Sequence, residues 1–578
     1  MTLQRPGYPS WPPTRGASPQ QETNHGDRMK IQQHRRLALA AVLFTASGWS
    51  AAATWYVAPN GDDSAAGTQA APWRTFARAQ AGALAGDTVY FRGGAYVYTA
   101  GLNACASRTD TVNVITLNKS GQAGKLIRYW AYPGEAPKFD FSQMKDDCRV
   151  KAFNVTASYL HLKGLEVTGA PQQPGNLLNN ESWGIWNSGS FNTFEQIDTH
   201  HHMGPGLFIA NGSNNLVLNV DSHHNYDPYS KSGPGQNADG FGVHVRANRP
   251  GNVIRGCRAW ANTDDGYDTI NSESVVVIEG SWAWRHGYLP GTTTSLPAGN
   301  GNGFKIGGFG GTYFANAPVH ITRNNVAFHN KTWGFYANHH PVASLFYNNT
   351  AASNRAGFNM LGVDPNNAAI NLGVLRNNLA YGGTVATSID GADVANNSWN
   401  LPVSVTAADF QSVSLEGWDA PRLPDGSLPQ LPHLRLAAGS DLLDKGVQVG
   451  LPYQGTAPDL GAFEGSAPVP LFTDVTASMK IVQSGLQLDR TTGKMRGTVS
   501  FTNMANAPAS GILLFRLDGL SDGVTLDSAT GTQGGAPTIT LPVSALASGA
   551  SATVDTVFSN PSRTSIGYKA RLFAGAVQ

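Results

Sequence analysis

Gly240-Phe241, Gly266-Tyr267, Gly303-Phe304 and Gly334-Phe335 set a glycine before a large aromatic residue again and again along the middle of the chain. The same glycine-apolar signature stands earlier at Gly184-Ile185 and Gly206-Leu207 and later at Gly357-Phe358. Successive copies lie 22, 34, 26, 37, 31 and 23 residues apart. Short alternating strands follow them, such as Leu216-Val217-Leu218, Val275-Val276-Val277-Ile278 and Val319-His320-Ile321. Asparagine-rich turns accompany the strands at Asn214-Asn215, Asn324-Asn325, Asn348-Asn349 and Asn377-Asn378. A period in the twenties with several short strands and no helical periodicity predicts a solenoid. Leucine-rich and ankyrin signatures are absent, and so are the closely spaced hairpin turns of an antiparallel sandwich. The expected fold is all-β: a right-handed parallel β-helix whose bend asparagines hydrogen-bond the coils above and below.

The flanks fit that reading. Trp55 to Gly61 and Gly86 to Phe91 look like cap and first-coil strands, and Asp459 to Glu464 reads as the last turn. A Ser/Ala/Pro linker over 466–470 then gives way to period-two alternation, as in Gly497 to Phe501 and Ile512 to Phe515. Residues 471–578 are therefore expected to form a separate small C-terminal β-sandwich with an accessory role, and residues 54–465 the β-helix catalytic domain. Charged residues are only 14% of the 578, against about 25% in an average soluble domain, and 66 are glycine. That composition suits strands and tight turns. With 41% hydrophobic residues the chain can bury a core, which excludes a disordered protein. A formal charge of +1 gives no nucleic-acid footprint.

Residues 1–53 read as a leader. Met29-Lys30 opens a basic region ending at Arg35-Arg36, an apolar run follows from Leu37 to Phe44, and small residues lead to Ala51-Ala52-Ala53. This is the pattern of a secretory signal, with Met29 as the true start, and it is too short to span a membrane. Without it the chain holds 34 Lys/Arg against 37 Asp/Glu. The expected protein is secreted, into the medium or the periplasm, and monomeric, with no membrane partner. In an oxidising compartment Cys105 and Cys148 can pair and leave Cys257 buried; three buried thiols are the open alternative.

The repeat phase makes the acidic residues informative. Asp239 and Asp265 each precede the repeating glycine in consecutive coils, so they should stack about 4.8 Å apart. Asp264 adjoins Asp265, Asp268 lies two positions after its glycine, and Lys305 lies two after Gly303, one coil beyond Asp268. Stacked carboxylates repel, and a hard cation with oxygen ligands neutralises them; Ca2+ tolerates such cages better than magnesium. The long spacings carry Tyr226 to Asn237 and Tyr288 to Asn302 as extra loops that could wall a groove beside this patch.

Asn237-Ala238-Asp239-Gly240-Phe241, Asp264 to Asp268 and Asn300 to Gly308 together resemble the motifs of polysaccharide lyase family 9, the pectate lyases and relatives built on a right-handed parallel β-helix. The resemblance covers roughly residues 54–465, though the specific motifs occupy a small part of them. It implies that Asp239, Asp264, Asp265 and Asp268 correspond to calcium ligands and Lys305 to the Brønsted base. It also implies a calcium-dependent β-elimination on an acidic polysaccharide such as pectate or polygalacturonate. The aspartates alone would hold a lysine protonated, so the cation is needed for charge balance too. Arg246 and Arg285 are candidate contacts for the polyanion, and Trp282 and Trp284 are candidate sugar platforms or packing residues. The run His200-His201-His202 reads as an exposed turn.

Three readings stay open beside pectate. One is a rhamnogalacturonan or other uronate lyase. Another is a polygalacturonase-like hydrolase, for which the Asp264-Asp265 pair and Arg285-His286-Gly287 speak. The last is a non-catalytic β-helix adhesin.

Overall fold

At Gly240 an added methyl group would meet the carbonyl oxygen of Gly266 at 2.7 Å and the side-chain nitrogen of Asn262 at 2.9 Å. At Gly303 it would meet the carbonyl of Gly334 at 2.7 Å and the Asn330 amide at 2.9 Å. Neither is a matter of backbone angle. The chain turns from one sheet into the next so tightly that the coil above occupies the space of a β-carbon. The repeating glycine is thus dictated by stacking, and the aromatic after it points into the bore.

The computed structural model describes residues 52–578 except 106, 173–179, 424, 466–470, 522, 534–535, 544, 562 and 577–578. Most of the leader, with Met29, and the whole linker over 466–470 lie outside the described residues. Three sheets of 12, 10 and 10 strands run side by side. The 12-stranded sheet extends from Thr54–Val57 to Asp393–Ala395, and one ten-stranded sheet extends from Gly94–Val97 to Leu379–Tyr381. The other, from Thr111–Leu117 to Thr384–Thr387, is called here the front sheet. Their neighbouring strands pair in parallel, as in Phe241↔Tyr267 and Tyr267↔Phe304. This is a right-handed β-helix. Phe241, Tyr267, Phe304, Phe335 and Phe358 stack in its bore with ring centroids 5.0, 4.6, 4.9 and 5.0 Å apart.

The paired asparagines divide two tasks. Asn214, Asn324, Asn348 and Asn377 take left-handed backbone angles, with φ of 56°, 55°, 51° and 58°, and turn the chain. The second of each pair is buried and joins a ladder. Nδ2 of Asn325 donates to Asn349 Oδ1 at 3.1 Å, Asn349 to Asn378 at 3.0 Å, and Asn378 to Asn397 at 2.8 Å. A second ladder runs through Asn225 and Asn262, then His286, then Asn330 and Asn354.

A short helix, Phe76–Gly82, is capped by Thr75, whose hydroxyl accepts from the Arg78 amide at 3.1 Å. It lays Phe76 on Phe91, Tyr129, Phe139 and Phe153, rings supplied by all three sheets, and so closes the first coils. Cys105 and Cys148 are joined in a disulfide, Cα atoms 6.0 Å apart, and Cys257 is free and buried. The last parallel strand ends at Ala395. Asp459 to Glu464 is therefore not a final coil; Gly461 and Ala462 dock back on Asn377 and Thr350. The irregular stretch leading there covers the outer face of the sheet that holds Trp282–Trp284. Trp418 meets Trp282 at 4.5 Å and Phe328 at 4.7 Å, which makes Trp282 and Trp284 packing residues. Residues 471–576 form two five-stranded sheets, paired antiparallel, around a core that includes Val499, Phe501, Phe515 and Leu572. No helix among the described residues is long and apolar enough to cross a membrane.

Candidate active site

Side chains alternate across a strand, so the residue after each bore aromatic faces outward from the front sheet. Asp268 follows Tyr267 and pairs in register with Lys305, which follows Phe304. Lys305 Nζ donates to Asp268 Oδ2 at 2.9 Å and lies 3.1 Å from Asp265 Oδ2. Asp265 in turn stands one coil from Asp239, whose Oδ1 accepts from the Asp265 amide at 3.1 Å. Carboxylate oxygens of Asp239, Asp265 and Asp268 lie within 4.8 Å of one another. Asp265 is fully buried, and even Lys305 is only 8% exposed.

The register expectation therefore brings together Asp239, Asp265, Asp268 and Lys305. Asp264 is buried beside them but stands outside that triad, because consecutive residues diverge. Its Oδ1 accepts from the Asn300 amide at 2.7 Å. Asn302 fixes Asp265 with two donors, its backbone amide and its Nδ2, both 2.8 Å from Oδ1. Thr332 holds the other end of Asn302, its hydroxyl donating to Oδ1 at 2.6 Å. These clamps come from the 288–302 insertion and the coil beyond it. The 226–237 insertion packs on the same segment, with Gly235 against Leu296 and Gly299.

Burial raises the pKa of Asp239 well above the carboxylate range, and the charges of Asp268 and Asp265 add to it. Burial with Asp265 and Asp239 does the same for Asp264, and burial raises Asp265 despite Lys305 beside it. Burial alone would push the Lys305 ammonium down. Asp268, Asp265, Asp264 and Asp239 overcome that and hold it well above the usual lysine value. One lysine thus faces several acids, and buried Asp265 Oδ2 meets no donor group but the Lys305 ammonium at 3.1 Å. A set of hard carboxylate oxygens that outnumbers its single ammonium partner fits a divalent cation such as calcium.

Other candidates fall away from the patch. Arg285 pairs with Glu416 at 2.9 Å on a different face, and Arg246 pairs with Glu273 at 3.3 Å. His286 is fully buried in the second asparagine ladder, its Nδ1 accepting from the Asn262 amide at 3.3 Å. The exposed turn expected of the histidine run does not hold throughout, since His202 is fully buried and accepts from the Ala170 amide at 3.1 Å. Sequence reading passed over the row of outward residues leading to the acids. Trp186 and Phe208 stack at 5.0 Å, and Lys151 Nζ sits 3.8 Å over the Trp186 ring. Burial, with Arg149 nearby, lowers Lys151 to about 8. Trp186 stands three strands before Asp268, roughly 14 Å at about 4.8 Å per coil.

Residues 55–377 match the family described as "Pel9A-like, right handed beta helix region". The chain is similar to "Pectate lyase L" of Dickeya chrysanthemi, 38% identical over 427 residues, 72% of this chain and 92% of the relative. It is 33% identical over 441 residues to "Pectate lyase L" of Paenibacillus polymyxa (strain SC2), 70% of this chain and 86% of the relative. Among solved structures it resembles pectate lyase Pel9A, with a TM-score of 0.60 and 34% identity over 72% of this chain and 97% of that one. It also resembles a rhamnogalacturonan lyase, with a TM-score of 0.62 and 35% identity over 67% of this chain and 96% of that one.

Proposed function

The chain belongs to the Pel9A-like right-handed β-helix family, and from that premise we propose a secreted, calcium-dependent polysaccharide lyase that cleaves pectate by β-elimination. The observation that carries the reading is the lysine in register with a buried carboxylate triad on the front sheet. In its neutral amine form, Lys305 Nζ takes the proton from C5 of a galacturonate unit, which the adjoining carboxyl group makes weakly acidic. The freed electron pair forms the C4=C5 double bond, the C4–O bond breaks, and the departing oxygen gains a proton from water. Asp239, Asp265 and Asp268, with Asp264 adjoining, would hold the calcium ion. Bound there, calcium would withdraw charge from the substrate carboxylate and balance the aspartates that keep Lys305 protonated. The chain's own residues do the rest. Asn300 and Asn302 orient the acids, and Trp186, Phe208 and Lys151 offer the polymer an aromatic platform and a cation along the same row.

Asp265 and Asp268 both clamp one ammonium group, so neither is set as the lone acid of a hydrolase. The Cys105–Cys148 disulfide supports export, since such bonds persist in oxidising compartments. The test is an assay on polygalacturonate with and without chelator. Ultraviolet absorbance from the unsaturated product should appear, vanish on chelation and return with calcium. Reducing ends without absorbance would mean hydrolysis, and activity confined to rhamnogalacturonan would move the substrate. Full activity in excess chelator would sink the metal assignment.

Residues 471–578 are read as an accessory domain, because their core is built from residues of that stretch alone. A chain ending at Gly465 is expected to fold and keep its turnover on soluble polygalacturonate. A folded but inactive truncation would put the sandwich into the site.

A further inference from the structure

Away from the acids, one charge on the front sheet stands unmatched. Lys151 lies on strand Arg149–Val155 and pairs in register with Trp183 on the next strand, Trp183–Asn187. Its neighbour Arg149 spends its own charge on Glu181, 2.7 Å away. Lys151 is half-buried, and its Nζ finds no acceptor oxygen among the described residues. What it finds is two indoles. Nζ lies 3.8 Å from the Trp186 ring centre and 5.6 Å from that of Trp183, and the two rings meet edge-on at 4.6 Å and 76°. An ammonium drawn partly out of water loses hydration that aromatic faces return only in part. Burial and the like charge of Arg149 hold its pKa at about 8, so it stays charged at neutral pH. A half-buried cation with no counter-charge of its own asks for an anion from outside.

The row beside it leads to the acids. Trp186, Phe208, Gly242, Asp268 and Lys305 share one register on consecutive strands of the front sheet. Gly242 brings no side chain to that row, and a β-carbon there would meet the Phe208 ring at 2.4 Å. The ring therefore lies across Gly242 in the direction of Asp268, and the floor from Trp186 to the acids is unbroken. Trp186 stands four strands before Lys305, roughly 19 Å at about 4.8 Å per coil. A polymer with its scissile bond at Lys305 and its chain laid along this row meets Lys151 several sugar units away.

We propose that Lys151, held against Trp183 and Trp186, is a distal subsite for the free carboxylate of a uronate unit, and that it selects de-esterified polymer far from the bond being broken. The inference rests on the uronate lyase reading given above and adds to it a specificity determinant. A methyl ester keeps the outline of the sugar but removes its charge, which leaves the Lys151 ammonium unmatched. The indole of Trp186 offers the sugar ring an apolar face, and Lys151 tells which rings carry an acid.

Binding is read by calorimetry in calcium on the full chain carrying Lys305→Ala, so that the polymer stays uncut. The ligands are polygalacturonate and a partly methyl-esterified form of it. Adding Lys151→Met, which keeps the length of the stem, should weaken polygalacturonate binding by ~10-fold or more and shrink its advantage over the esterified polymer. Lys151→Arg keeps the charge and should bind like the parent. In the chain that retains Lys305, Lys151→Met should raise KM on polygalacturonate and leave kcat in place. Unchanged affinity in the Lys151→Met chain, an equal loss on both polymers, or a fall in kcat at constant KM would overturn the proposal. Cleavage of polygalacturonate that is indifferent to Lys151→Met would remove the subsite alone. A parent chain that neither binds nor cuts polygalacturonate would remove the lyase reading with it.

Discussion

Two stacks of buried polar side chains are built by the same register, and they behave oppositely. In the asparagine ladder each side chain accepts at Oδ1 and donates at Nδ2, so Asn325, Asn349, Asn378 and Asn397 satisfy one another rung by rung. In the acidic patch Asp239, Asp265 and Asp268 can only accept, and stacking accumulates charge that Lys305 offsets in part. A repeat of self-complementary groups is structure. A repeat of groups that cannot complement themselves demands something from outside, and the demand is what makes a site.

The contrast is most sharply broken at its cation. Lys305→Ala should lower turnover by about 10²–10⁴-fold, roughly 3–5 kcal/mol of barrier, while the melting temperature in calcium stays near that of the wild type. Lys305→Arg keeps the charge without a readily released proton and should be comparably inactive at neutral pH. Near-normal turnover of that variant would make the lysine a counter-ion only.

A smaller effect comes from carrying the acid into the ladder. Asn349→Asp sets an oxygen against the Thr322 carbonyl and Asn378 Oδ1, where Nδ2 donated at 2.9 and 3.0 Å. The cost should be about 3 kcal/mol at neutral pH, read by denaturant unfolding. Unchanged stability would show that the ladder does not depend on matched donors and acceptors.

The reverse exchange should be smallest. Asp239→Asn keeps the Oδ1 acceptor and adds a donor facing acids, so in chelator the variant should be more stable than the wild type by about 1–2 kcal/mol at neutral pH. The raised folded pKa of Asp239 fixes the sign. Such an acid weakens the fold as pH climbs past its unfolded value, and the gain should vanish in acid, where both states are protonated. Calcium should stabilise the variant less than the wild type. A variant less stable than the wild type in chelator would show that the patch is not charge-strained.

Much of this was legible because sterics wrote it into the repeat. Gly240 and Gly303 must be glycine, so the bore aromatics and the outward Asp268 and Lys305 could be phased from residue order alone. The first coils carry no such mark, since Val89, Phe91, Phe139 and Phe153 fill the bore without a matching glycine. Helix Phe76–Gly82 is too short for its periodicity to be read, and Trp418 reaches Trp282 from an irregular stretch far along the chain. Within the site, the Thr332 hold on Asn302 spans thirty residues and a coil boundary. The stacked rings of His200 on His223 and of His201 on His224 illustrate the same limit. Along the chain, neighbouring side chains diverge, but a left-handed residue at each corner and the stacking of coils turn four rings together.

The helix that lays Phe76 across the first coils settles how long this protein can be. A parallel solenoid has no intrinsic end: its terminal strands offer unpaired amides and carbonyls, and its open bore offers apolar rings, to any second solenoid in line. Covering the bore at one end with Phe76, and resting Trp399 5.0 Å from Phe358 towards the other, turns a potential fibre segment into a finite molecule. Without such stoppers, the repetition that aligns lysine with aspartate would also align one molecule with the next.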